Sequence, residues 1–348
     1  MKTKGRIPPS PALSSDAALA RPDGRSPITR TDLRIPSDTP GITLYLRNKH
    51  LVEMNRFTAE RTLLFVHGST YPAETLFDLP LGGLSWMDYI AARGYDVYLV
   101  DIRGYGQSTR PAEMDEPAES HLPIVRTETA IRDIARAVDF ILDRRGLSKL
   151  NLLGWSWGTT LMGAYTATHN HRVNKLALIA PQWLRTTPSL SDMGGDLGAY
   201  RVISVADAYD RWLSGVPENK KRDLIPGGWF EAWAEATFST DPWGAVQSPV
   251  KLRAPNGAVQ DSREFLAAGR PIYDPGQITV PVLLVHAEWD QELPFEIART
   301  YFSLLTAAPY RRWVEIGEGT HSVPLEKNRL QVFQEVQFFL DERYTPEV

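Results

Sequence analysis

The segment Gly154-Trp155-Ser156-Trp157-Gly158 constrains this chain more than any other five residues. It joins an apolar run at 149–153 to a helix-forming run at 159–169, so a serine stands on the sharp turn between a strand and a helix. Glycines two positions before and two after the serine suit a turn too tight for larger residues. The hydroxyl is therefore expected outside the sheet, at a helix N-terminus, where partially positive N–H groups favour a nascent oxyanion.

From Ile42 onward, short β-branched or apolar runs alternate with amphipathic helical patterns, which predicts an α/β fold with a mostly parallel sheet and helices on both faces. Strands are expected at 42–47, 61–66, 95–101, 149–153, 173–179, 280–285 and 312–316. Helices are expected at 85–93 and 128–145. In the second, Ile131, Ile134, Ala137, Val138, Ile141 and Leu142 share one face, and Gly146 ends it. Leu330, Phe333, Val336, Phe338 and Leu340 suit a final helix against the sheet.

Alternation stops between Pro181 and Tyr273, where tryptophan-rich helical pieces replace strands. The expected organisation is an N-terminal arm at 1–40, flexible or lying on the surface, core at 41–182, an inserted helical cap at 183–272, and core again at 273–348. Such caps commonly roof an apolar pocket, and Trp155, Trp183, Trp229, Trp233 and Trp289 are its expected lining.

Composition narrows the chemistry. A net charge of -4 provides no electrostatic footprint for nucleic acid, and the absence of cysteine excludes disulfides, thiolate metal sites and a cysteine nucleophile. No apolar stretch among the first residues has the length of a signal peptide or a spanning helix, so a cytoplasmic protein is the default expectation. A small-molecule substrate is expected, with no cofactor and no metal. The His169-Asn170-His171 triplet ends a helix and suits capping better than metal ligation.

A serine nucleophile needs a base and an acid to orient that base. Four histidines follow Ser156, namely His169, His171, His286 and His321, and only His321 lies after a plausible acid at a strand end. That acid is Asp290, the first aspartate beyond the strand at 280–285, with Glu288 as the nearest competitor. Asp290 would accept the second imidazole N–H and stabilise the imidazolium formed during attack. The oxyanion donors are expected to be the backbone amides of Trp157 and Ser69, with Thr70 as the alternative to Ser69. His67 is expected to be a structural hydrogen-bonding residue. A dinucleotide site at Gly104-Tyr105-Gly106 is excluded because Thr109 occupies the third glycine position.

Taken in order, the His67-Gly68 loop, the segment from Asp101 to Ser108, the elbow from Gly154 to Gly158, Asp290 and His321 resemble the α/β-hydrolase fold superfamily across 42–340, outside the cap. Trp157-Gly158-Thr159-Thr160-Leu161 also resembles proline iminopeptidases, whose oxyanion loop is longer and rich in glycine and proline; here His67-Gly68 is followed by Ser69-Thr70-Tyr71. The resemblance implies a serine hydrolase with a Ser156, Asp290 and His321 triad. The expected substrate is a small to medium carboxylic ester with an apolar or aromatic part, cleaved through an acyl-enzyme. Amide, thioester, lactone or carbon–carbon hydrolysis would use the same machinery. A non-catalytic receptor is disfavoured, since all three triad positions are filled.

Overall fold

The computed structural model describes residues 27–344. An eight-stranded sheet runs through them, built from β1 (Ile28–Pro36), β2 (Thr43–Leu51), β3 (Thr62–Val66), β4 (Asp96–Asp101), β5 (Leu150–Trp155), β6 (Val173–Ile179), β9 (Val282–Ala287) and β10 (Arg311–Ile316). A separate two-stranded sheet pairs β7 (Tyr200–Ser204) with β8 (Lys251–Pro255). The large sheet has the order β1-β2-β4-β3-β5-β6-β9-β10, antiparallel at its first two pairings and parallel from β4 onward.

Side-chain alternation explains why helices cover both faces. Along β3, Leu63 and Phe65 enter one core with Trp86, Ile90, Phe333 and Val336, whereas Leu64 and Val66 enter the other with Ile134, Val138 and Leu161. From Leu63 to Val66 the strand is therefore apolar at every position, as suits a strand covered on both sides. Each such side chain contributes about 1.5 to 3 kcal/mol relative to exposure. The helix Thr127–Arg145 buries the expected face, and Gly146 ends it with φ 64°, its N–H donating to the Asp143 and Leu142 carbonyls.

Three expectations are corrected. Residues 28–36, assigned to the arm, form β1, which pairs with β2 from Ile28 opposite Leu51 to Pro36 opposite Thr43. The strand is hard to see in sequence because it lies on the sheet edge and carries Arg30, Asp32 and Arg34, with Asp32 bound to the buried Arg47 at 2.7 Å. Residues 1–26 of the arm lie outside the described residues. The insertion between β6 and β9 is not purely helical, since β7 and β8 pair within it. In the last helix, Arg329–Asp341, Leu330 and Phe338 are exposed, and Val332, Phe333, Val336, Phe339 and Leu340 form the buried stripe.

Parallel pairing of β3, β5, β6, β9 and β10 brings their carboxyl ends to one edge. The loops bearing His67, Ser156, Asp290 and His321 all leave from that edge, beside the point where strand order reverses around β3. Among the described residues, no helix is long and apolar enough to cross a membrane.

Candidate active site

Ser156 follows β5 and precedes the helix Trp157–Thr168, with φ 58° and ψ -123°, a conformation that costs a non-glycine residue on the order of 1 to 3 kcal/mol. Its N–H donates to the Ile179 carbonyl at 2.9 Å, and its own carbonyl accepts the Thr159 amide at 2.8 Å. The flanking glycines have steric reasons. A Cβ on Gly154 would collide with the Gly158 carbonyl, and one on Gly158 would lie 2.5 Å from the Val66 oxygen.

His321 follows β10, and its Nδ1 lies 2.8 Å from Oδ2 of Asp290, whose side chain is completely buried. The other Asp290 oxygen accepts the Leu293 amide at 2.9 Å, so the carboxylate is held at both ends. Glu288 points elsewhere: it is exposed and accepts the Glu318 amide at 2.8 Å. The His321 carbonyl accepts the Trp155 indole N–H at 3.0 Å, which ties the loop after β10 back to the elbow.

Gly68 packs directly on Ser156, where an added Cβ would stand 3.1 Å from the serine Cβ. The Ser69 carbonyl is held by Tyr105 Oη at 2.9 Å and Arg201 Nη2 at 2.7 Å. His67 is fully buried; its Nδ1 lies 2.6 Å from the Gly68 carbonyl and its Nε2 accepts the Ile102 amide at 3.1 Å. Burial draws its pKa down to about 4, partly opposed by the bond to Gly68, so the ring is neutral near pH 7. It shapes the loop, as expected. Asp101 has a comparable task, accepting the Ala73 and Gln107 amides at 2.8 and 3.0 Å.

A pocket with about 630 Å³ of atom-free space, part of it open to solvent, is lined by Ser69, Ser156 and His321 together with Tyr71, Trp155, Trp212 and Trp233. Of the five tryptophans expected to line it, Trp155 and Trp233 do. Trp183 instead packs against Tyr273 and Tyr301, with ring centroids 5.7 and 5.4 Å away. Trp229 lies under the Arg329 guanidinium at 4.4 Å, and Trp289 donates its amide to the Gly319 carbonyl at 2.9 Å. Trp157 is buried and its indole N–H donates to Thr127 Oγ1 at 3.0 Å, so only its backbone belongs to the elbow.

The family model for the alpha/beta hydrolase fold matches residues 61–327. The chain belongs to this family. Among curated relatives, the chain is 26% identical over 258 residues to the AB hydrolase superfamily protein YisY of Bacillus subtilis, covering 70% of this chain and 83% of that one. It is 28% identical over 131 residues to a proline iminopeptidase of Xylella fastidiosa, covering 38% of this chain and 37% of that one. It spans only 16% and 22% of two archaeal poly(3-hydroxyalkanoate) polymerase subunits that it also matches. The 2-hydroxy-6-oxo-6-phenylhexa-2,4-dienoate hydrolase of a Rhodococcus strain has the same fold, with a TM-score of 0.59 at 16% identity over 89% of this chain and 99% of that one.

Several residues in the pocket or just behind its lining were not found from sequence. Glu292 is buried and accepts from Arg185 Nη1 at 2.9 Å, Ser189 Oγ at 2.6 Å and the Leu190 amide at 2.6 Å. Arg211, on the insertion helix Val205–Trp212, donates to Thr70 Oγ1 at 3.0 Å. Glu326 is also buried; its oxygens accept the Thr320 amide at 3.0 Å, the Thr320 hydroxyl, and the Trp212 indole N–H at 2.9 Å. Only their proximity in sequence to Asp290, Trp212 and His321 could have signalled them.

Proposed function

We propose that the protein is a serine hydrolase that cleaves a small to medium carboxylic ester, with an apolar or aromatic part, through an acyl-enzyme. The observation that carries this is the contact between His321 Nδ1 and the buried Asp290 carboxylate, in a pocket that Ser156 also lines. With Nδ1 engaged, Nε2 is the nitrogen left to act as base. His321 takes the Ser156 proton as the oxygen attacks the ester carbonyl carbon, and Asp290 stabilises the imidazolium. The Ser69 and Trp157 amides hold the oxyanion. The imidazolium then protonates the departing alcohol, and a water activated by the same ring releases the acid.

Leu76, Trp155, Ala208, Trp212, Trp233 and Leu325 support an apolar acyl or alcohol part. The iminopeptidase alternative needs a free carboxylate for a substrate ammonium. Glu292, the acidic side chain on the pocket wall, is already paired with Arg185. A serine nucleophile also argues against epoxide or haloalkane hydrolysis, since attack on saturated carbon would leave an ether that bound water does not readily cleave.

Labelling with a fluorophosphonate tests the reading. Wild type should label and should hydrolyse p-nitrophenyl butyrate, while Ser156→Ala and His321→Ala should do neither above background. Unlabelled wild type, or a serine variant that still labels and turns over, would reject it.

A further inference from the structure

We propose that Arg211 is a specificity-determining residue that binds a carboxylate on the substrate, so that the preferred ester is anionic. This rests on the serine hydrolase reading above. Arg211 lines the pocket shared by Ser156 and His321, and four-fifths of its side chain is covered, with 20% exposed. A guanidinium so placed has five donors. The structure engages Nη1 with Thr70 Oγ1 at 3.0 Å, and brings Nη2 no nearer than 3.9 Å to Glu292 Oε2.

Glu292 does not meet that need. Its oxygens are taken up by Arg185, Ser189 and the Leu190 amide. Burial would raise its carboxyl, but the charges of Arg211 and Arg185 outweigh this and hold it below the usual glutamate range, so it is ionised. Arg185, Glu292 and Arg211 together carry one net positive charge, and the Arg201 guanidinium, bonded to the same Thr70 hydroxyl as Arg211, adds a second. A carboxylate on the substrate offsets part of that charge.

Thr70 sharpens the site. Its hydroxyl oxygen accepts from Arg201 Nη2 at 2.8 Å as well as from Arg211, which occupies both lone pairs. Its own proton is then free to donate, and Thr70 also lines the pocket. Arg211 and Thr70 can thus both donate to one carboxylate, and Ser214 and Gln291 line the same pocket. The guanidinium fork suits the planar, bidentate carboxylate better than an ammonium would.

The test compares ester pairs that differ in one charge. p-Nitrophenyl hydrogen glutarate carries the carboxylate on the acyl side and is matched with p-nitrophenyl butyrate. 4-Butyryloxybenzoate carries it on the alcohol side and is matched with its methyl ester. At least one anionic member should exceed its neutral partner in kcat/KM by about tenfold or more, and Arg211→Gln should reduce that ratio by about 10- to 100-fold, chiefly through KM. Arg211→Lys should recover part of it. Independently of turnover, Ser156→Ala protein should bind glutarate by calorimetry, and adding Arg211→Gln should weaken that binding by a similar factor. Ratios near one for both pairs, or a ratio untouched in Arg211→Gln, would overturn the proposal while leaving the serine mechanism standing. Hydrolysis of none of the four esters, with glutarate still bound through Arg211, would instead reject the mechanism and keep the carboxylate site.

Discussion

The Trp212 indole N–H donates to Glu326 Oε1 at 2.9 Å, and the other oxygen of that carboxylate accepts the Thr320 amide at 3.0 Å. One buried acceptor therefore joins the inserted segment to the residue immediately before His321. Trp212→Phe should cost about 1 to 3 kcal/mol in chemical denaturation, since a buried acceptor loses its donor. Combining it with Glu326→Gln should give less than the sum of the two single effects, by more than about 0.5 kcal/mol. Strict additivity would mean that the two groups are not coupled.

Two buried groups give opposite pH slopes. His67 has a folded pKa of about 4, below its ordinary 6.5, so its contribution is complete above 6.5 and is lost as pH falls toward 4. Burial, with a smaller push from Asp290, moves Glu326 up to about 7 against its hydrogen bonds from Thr320 and Trp212, from an ordinary 4.5. Its contribution is complete below 4.5 and is lost as pH rises through 7. Each full shift corresponds to on the order of 3 kcal/mol. Urea unfolding across pH 4.5 to 8 should show His67→Gln least destabilised relative to wild type at the acid end, and Glu326→Gln least destabilised at the alkaline end. Profiles parallel to wild type would contradict both assignments.

Asp290→Asn should lower kcat by about 10⁴-fold, because an amide at this position no longer enforces the imidazole tautomer or stabilises the imidazolium. The unfolding midpoint should move little, since an amide oxygen can still accept from the Leu293 N–H. Glu288→Gln should retain near wild-type turnover. Steady-state kinetics with p-nitrophenyl butyrate decides between the two carboxylates.

The elbow glycines should be intolerant for a steric reason that a remote glycine lacks. A Cβ on Gly158 would stand 2.5 Å from the Val66 oxygen and 2.7 Å from the His67 oxygen. Gly158→Ala should therefore cost more than about 3 kcal/mol or abolish soluble expression. Gly317→Ala meets only Glu288 Oε2, at 3.6 Å, and should change the unfolding free energy by less than about 1 kcal/mol.

Most of the site's skeleton was legible in the chain itself. Strands covered on both faces are largely apolar, and the amphipathic helix at Thr127–Arg145 has both its stripe and its Gly146 stop written locally. Glycine spacing marked the elbow, and chain order after strand ends singled out Asp290 and His321. The edge strand β1 escaped because Arg30, Asp32 and Arg34 break its apolar pattern. Trp183, Trp229 and Trp289 were assigned to the pocket on residue type alone, and a large aromatic ring packs a core as readily as it lines a cavity.

What sequence alone determined, then, was the α/β alternation and the places where a nucleophile, an acid and a base could leave the sheet, because short-range sterics and periodicity encode those. Tertiary structure decided which insertion side chains join them. Arg211 meets Thr70, and Trp212 meets Glu326, across 141 and 114 positions of chain. No local period carries such contacts, since they depend on how the segment between β6 and β9 packs over the strand ends.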